Sequence, residues 1–164
     1  MIRVLVCIFC LLTIPSRANL GETVAECVKR YGRPMGFSEA GPRNPFGTVA
    51  FSAGGYTLLV FLINAEEVGA RVSKQDKSAF SDAELKTIMD ADSNSSPWTP
   101  TTSPDPGCLS WTRSDQATVL YDKDKHVLIF TAKKMSEALH SPPRQEPVVP
   151  PIPPKPAGSQ SGAP

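Results

Sequence analysis

The segment at residues 56–64, YTLLVFLIN, restricts the fold of this chain more than any other. It is almost continuously apolar, and strands of that composition have both faces at least partly covered. It therefore predicts a central strand of a sheet. Residues 46–53 precede it with an apolar period of two, and Gly54-Gly55 between the two segments suits a tight hairpin turn.

Residues 68–74, VGARVSK, alternate in the manner of a strand with one covered face. The period directs Val68, Ala70 and Val72 toward the core, and it directs the residues between them away from it. Three later segments have the length and composition of short strands, with polar turns between them. They are residues 108–113, 117–122 and 126–132.

Two segments are predicted to be helices because each begins with a capping signal. Thr23 and Glu26 have the spacing of a capping box, and Ser81 and Glu84 repeat it. Gly32 and Pro34 end the first helix. Its apolar residues recur on one face, where we expect core packing: Val24, Cys27, Val28 and Tyr31. The buried face of the second helix is predicted to hold Leu85, Ile88 and Met89.

The element order predicts an α+β fold, with two helices packed on one face of an antiparallel sheet of five to six short strands. The predicted order of elements is helix, three strands, helix, three strands. The same order would result from a helix–three-strand unit repeated twice.

The first 18 residues have the pattern of a cleaved signal peptide. Arg3 precedes an apolar run of eleven residues, and Ser16 and Ala18 are the small residues that a signal peptidase reads, so cleavage is expected before Asn19. A membrane helix needs about 20 apolar residues, so we expect no membrane span after cleavage. The predicted location is periplasmic or extracellular.

The remaining chain divides into a folded domain at residues 19–140 and a proline-rich tail at residues 141–164. Nine of the 17 prolines lie in this tail, and proline neither donates a backbone hydrogen bond nor fits a helix interior. We expect a disordered spacer. Pro147, Pro150 and Pro153 also have the spacing of ligands for SH3-type domains, so partner binding by the tail is the alternative.

Charge excludes one class of partner. Loss of Arg3 and Arg17 with the signal peptide reduces 17 basic residues to 15, against 16 acidic residues. Neither sign clusters, so the chain carries no electrostatic footprint for nucleic acid.

A resemblance lies in the first helix and its flanks. Gly21-x-Thr23 opens the helix and Tyr31-Gly32-x-Pro34 closes it. Together with SDAELKTIM and the later strands, this looks like a family of small uncharacterised secreted bacterial proteins. More distantly it resembles the SmpA/BamE-like outer-membrane assembly lipoprotein fold and the β-lactamase inhibitor protein. The resemblance implies a protein-binding or assembly role in the cell envelope, with the helix residues serving as caps and core.

The sequence offers no motif for catalysis, for a cofactor or for a metal. His126 and His140 lack metal-ligand spacing, and no nucleophile elbow occurs. We therefore predict an exported non-enzymatic module that binds another envelope or secreted protein. The alternatives are a small secreted hydrolase that uses loop carboxylates such as Asp76 or Asp82, or an enzyme-inhibitor-like protein.

Three further side chains are candidates for specific roles. Trp98 lies in a proline-rich loop and is either a lid over the core or an exposed anchor for a partner. Cys27 and Cys108 are the two cysteines left after signal cleavage. In an oxidising compartment they are a candidate disulfide, and otherwise they are small buried hydrophobes.

Overall fold

The computed structural model describes residues 20–41, 44–93 and 96–141. The predicted signal peptide and the tail prolines Pro147, Pro150 and Pro153 lie outside these residues. The three helices of the described residues are α1 (Val24–Tyr31), α2 (Asp82–Ala91) and α3 (Lys133–His140). None of them is long and apolar enough to cross a membrane. The strands are β1 (Gly36–Ser38), β2 (Gly47–Ala53), β3 (Tyr56–Ile63), β4 (Glu66–Lys74), β5 (Thr99–Thr101), β6 (Cys108–Thr112), β7 (Thr118–Asp122) and β8 (Val127–Thr131).

All eight strands form one antiparallel sheet in the order β1-β2-β3-β4-β8-β7-β6-β5. The pair β4–β8 joins two four-strand halves at the centre, and each half follows a helix. The prediction of two helices on a five-to-six-strand sheet, made of helix–three-strand units, is therefore wrong. It missed β1 and β5, and it did not count α3 among the helices that pack on the sheet. The two missed strands are three-residue edge strands, too short to show an alternating pattern, and α3 begins without a side-chain cap.

One face of the sheet carries α1 and α2. Both predicted capping boxes are present, at Thr23–Glu26 and at Ser81–Glu84. Helix α1 packs on β2 and β3 in a cluster built from Cys27, Tyr31, Val49, Phe51, Leu58, Val60 and Leu62. Val28 was predicted to belong to this core, and this is wrong, because its side chain is 37% exposed. Helix α2 packs on β4, β7 and β8 in a second cluster, which includes Leu85, Ile88, Ala70, Val72, Leu128 and Phe130. The two helices thus cover neighbouring parts of the same face.

The other face carries α3 at one end of the sheet. Met135 of α3 packs with Phe46 and Val68 in a third cluster. Val68 was predicted to share a face with Ala70 and Val72, and this is wrong. The register between β3 and β4 shifts at Phe61/Leu62. This bulge inserts one residue and turns Val68 to the α3 face.

Gly69 makes the close approach of α3 to the sheet possible. A Cβ at this position would lie 2.8 Å from the carbonyl oxygen of Phe130 and would collide with the Met135 sulfur. The backbone oxygen is held by the β4–β8 ladder and cannot move aside, so a methyl group here overpacks the core.

We expect Gly69→Ala to lower the free energy of unfolding by about 1–3 kcal/mol. Gly47→Ala in β2 is the matched control, because a Cβ there would meet nothing nearer than 3.6 Å. Alanine in place of an unstrained strand glycine should be neutral or stabilising. Urea denaturation of both variants measures the difference, and equal stabilities would contradict the packing argument.

Candidate functional site

A buried acidic cluster lies where the chain enters α1 beside the start of β4. The backbone before α1 runs against β4: the amide of Gly21 donates to the carbonyl of Glu67 (2.9 Å), and the amide of Glu67 donates to the carbonyl of Glu22 (2.7 Å). Residues Thr23 and Glu66 form a β-bridge next to these bonds. The main chain itself therefore holds Glu22 beside Glu67.

Cys27 of α1 completes this cluster. One ligand atom from each of Glu22, Cys27 and Glu67 lies within 4.8 Å of the other two. The Cys27 thiol donates to Oε2 of Glu67 at 3.5 Å. Oε1 of Glu67 has no hydrogen-bond partner among the described residues, although Glu67 is only 1% exposed. Glu22 forms an ion pair with Arg30.

Burial controls the protonation of this cluster. Desolvation raises the pKa of Glu67 to about 8, and the charges of Asp92 and Glu22 act in the same direction. Desolvation and the neighbouring Glu67 raise the pKa of the Cys27 thiol to about 12. The pKa of Tyr31 is also raised, first by burial and then by Glu67. At neutral pH Glu67 is therefore largely a neutral acid and Cys27 a thiol.

A second buried polar group pairs Asp92, at the end of α2, with Arg113. Oδ1 of Asp92 accepts from the amide of Leu20 at 3.0 Å, and Oδ2 lies 3.6 Å from Nη1 of Arg113. Arg113 also makes two hydrogen bonds with Asp115, at 2.8 and 2.9 Å. Burial raises the pKa of Asp92 to about 7, and the nearby Arg113 charge acts in the opposite direction.

Trp98 contacts both the Arg113 side chain of this ion pair and the hydrophobic core. Its Nε1 donates to the carbonyl of Met89 at 2.9 Å, and its ring meets Phe130 edge-on at a centroid distance of 6.1 Å. The guanidinium of Arg113 lies 4.8 Å from the ring centroid. Trp98 thus occupies the position of a lid over the core, with its polar atom satisfied.

The loop carboxylates considered for hydrolysis have structural partners or lie on the surface. Asp76 accepts hydrogen bonds from the amide and hydroxyl of Ser78 within a turn. Asp82 is exposed at the first residue of α2. The cleft near Asp76 also contains Lys74 and Glu84, which form an ion pair of 2.7 Å.

The structure does not bring Cys27 and Cys108 together, and both are free thiols. Cys27 packs on the α1 face over β2 and β3. Cys108 is the first residue of β6, opposite Asp122 of β7. It faces away from the α2 core, against which Leu109 and Trp111 of the same strand pack. Because adjacent strands are about 4.8 Å apart, two cysteines on opposite faces and several strands apart exceed disulfide reach.

The sheet face opposite α1 and α2 carries a row of cross-strand neighbours. In spatial order the row is Ala50, Leu59, Arg71, Ile129, Leu120 and Ser110. Arg71 is exposed and the others are half-buried. The three core clusters of the described residues contain none of Leu59, Leu120 and Ile129. We call this row the open face.

Sequence reasoning missed Glu22 and Glu67, which lie 45 positions apart in the numbering. No local signal marked Glu67, the second residue of β4, because glutamate is rarely buried. The direction of its side chain depends on the bulge opposite Phe61, which no spacing rule places.

Comparison with known proteins shows no family for this chain. No family model and no curated protein matches it. A crystal structure of a cysteine-rich secretory protein from Staphylococcus aureus subsp. aureus Mu50 is similar at a TM-score of 0.34 and 12% sequence identity. The match covers 71% of this chain and 45% of that one. The class that the described residues define is an antiparallel eight-stranded α+β sheet with helices on both faces.

Proposed function

We propose that this chain is an exported protein that binds another envelope or secreted protein through the open face of its sheet. The observation that carries the proposal is the row Leu59, Arg71, Ile129 and Leu120, in which aliphatic side chains lie on both sides of one exposed cation. Aliphatic side chains beside an arginine are typical of the centre of protein interfaces.

The chemistry of the row also specifies the partner. Arg71 is the one charged residue of the row, and its guanidinium can pair with a carboxylate in a bidentate manner. The expected partner surface therefore presents a carboxylate beside aliphatic side chains. The proposal that the protein is exported depends on the signal-peptide pattern of residues 1–18. The resemblance to envelope assembly and inhibitor proteins points to the same class of activity.

The geometry gives the hydrolase alternative less support. A catalytic carboxylate needs a cleft in which polar groups converge on a substrate. In the cleft near Asp76 the polar groups bind one another: Glu84 pairs with Lys74 and accepts from the amide of Ser81. The hydrogen bond from Lys74 is the first cause of a Glu84 pKa of about 2. These are the properties of a structural ion pair and helix cap.

The test places a photoreactive residue at position 120 on the open face and, as a control, at position 86 on the exposed side of α2. A crosslinked protein is then purified and its dissociation constant measured. We expect Arg71→Glu to weaken binding at least tenfold, since it sets two carboxylates against each other. The control Lys86→Glu should leave the constant unchanged.

An acidic-to-lysine change in the partner should restore binding to Arg71→Glu, because the charges are then exchanged. The proposal is overturned if crosslinks form from position 86 and not from position 120, if neither position crosslinks, or if Arg71→Glu binds as tightly as the wild type.

A further inference from the structure

We propose that Cys27, Glu67 and Glu22 bind a thiophilic divalent cation, with Zn²⁺ the best-matched ion. The site lies beneath α1, on the sheet face opposite Arg71, and is independent of the open face. Two observations meet here. The three ligand atoms converge within 4.8 Å, and the carboxylate of Glu67, only 1% exposed, has one oxygen, Oε1, without a hydrogen-bond partner among the described residues.

The spacing of the atoms fits a tetrahedral ion. Bonds of about 2.0–2.3 Å from zinc to oxygen and sulfur place tetrahedral ligand atoms about 3.3–3.8 Å apart. The distance of 3.5 Å between the Cys27 sulfur and Oε2 of Glu67 lies in this range. Glu22 is within 4.8 Å of both, so a side-chain adjustment of at most about 1 Å brings its oxygen into this range. Three protein ligands leave the fourth position for water.

The donor set selects the kind of ion. Ca²⁺ and Mg²⁺ take oxygen ligands, whereas a thiolate favours softer metals. Charge supports a dication in particular. The thiolate and two carboxylates carry three negative charges, and the Arg30 guanidinium bound to Glu22 supplies one positive charge. A dication therefore makes the buried cluster neutral, which removes the cost of burying isolated charges.

Binding exchanges protons for the metal. The thiol proton of Cys27 and the carboxylic acid proton of Glu67 leave to water, and sulfur and oxygen lone pairs bond to the ion; no electron transfer occurs. The ion has a route to the cluster. Glu22 lines a surface cleft together with Glu26, Lys29 and Arg30, so its carboxylate connects solvent to the buried ligands.

The first experiment titrates the chelator-treated chain without residues 1–18, which hold Cys7 and Cys10, with Co²⁺, a spectroscopic substitute for Zn²⁺. We expect a thiolate-to-cobalt absorption band at one equivalent, reversed by added Zn²⁺. Cys27→Ser should abolish the band, and Glu67→Gln should weaken Co²⁺ binding at least tenfold. The matched controls are Cys108→Ser and Glu66→Gln, which change the other mature cysteine and an adjacent exposed glutamate. Both should retain the band and the affinity.

The second experiment needs no variant, so it stands even if Cys27→Ser fails to fold. X-ray absorption at the zinc edge of the loaded wild-type protein should show one sulfur and two or three oxygen neighbours. Absence of a sulfur neighbour overturns the proposal. So does a cobalt band that persists in Cys27→Ser, one that disappears in Cys108→Ser, or full affinity in Glu67→Gln.

Discussion

Replacing Arg113 by alanine is expected to lower the free energy of unfolding by about 3–5 kcal/mol at pH 8. The side chains of Arg113 and Asp92 are 3% and 1% exposed, so the substitution leaves a buried carboxylate without its cation. It also removes the guanidinium from the ring of Trp98. Removing one partner of a buried ion pair costs far more stability than the intact pair contributes, because the remaining charge stays desolvated.

The loss in Arg113→Ala should shrink at pH 5. Burial already holds the pKa of Asp92 at about 7, and removing the positive charge of Arg113 raises it further. At pH 5 Asp92 takes up a proton at little cost, so no charge is left alone. At pH 8 the variant must either bury the charge or bind a proton at a high free-energy cost. Denaturant unfolding at pH 8 and pH 5 measures the change.

Two companion variants make this measurement specific. Arg71→Ala removes an exposed arginine from the open face and should change stability by no more than about 0.5 kcal/mol. Combining Arg113→Ala with Asp92→Asn should recover part of the loss at pH 8, since neither charge is then left alone. An equal loss at both pH values would exclude Asp92 as the cause.

Signals that act within one turn of chain were enough to predict α1 and α2. Each capping box places a hydroxyl and a carboxylate three residues apart, and both close as expected. The six longer strands were also predicted: β2 and β4 from an apolar period of two, β3 from its continuous apolar run, and β6, β7 and β8 from their length and composition. The edge strands β1 and β5 depend instead on pairing with β2 and β6. Their own residues, GFS and TPT, carry no such period.

The polar sites could not be predicted by the same means. Cys27 was placed correctly on the inward face of α1, where it is 1% exposed. Which residue lies beside Cys27 depends on contacts between distant parts of the chain. Glu67 faces Cys27 because a bulge shifts β4 against β3 at Phe61/Leu62. A one-residue insertion reverses which side each following residue faces. The same bulge sends Val68 to the α3 face, against the predicted alternation.

Glu67 makes the metal-free protein more stable in mild acid than at pH 8. Its pKa rises from an ordinary 4.5 to about 8 in the fold, mainly through desolvation. Between these values the folded chain keeps a proton that the unfolded chain has lost, so stability falls as the pH rises. At about 1.4 kcal/mol for each pH unit, the loss is on the order of 5 kcal/mol at most.

Glu67→Gln should remove this dependence, because an amide keeps the shape of the neutral acid and does not ionise. We expect the free energy of unfolding of the variant, minus that of the wild type, to rise by a few kcal/mol from pH 4.5 to pH 8, measured by urea denaturation in chelator. Glu66→Gln is the control. Its side chain is 53% exposed and pairs with Lys134 on the surface, so its difference curve should stay within about 1 kcal/mol of zero. A flat curve for Glu67→Gln would mean that the folded protein accommodates the Glu67 carboxylate, with its charge compensated by Arg30 beside Glu22.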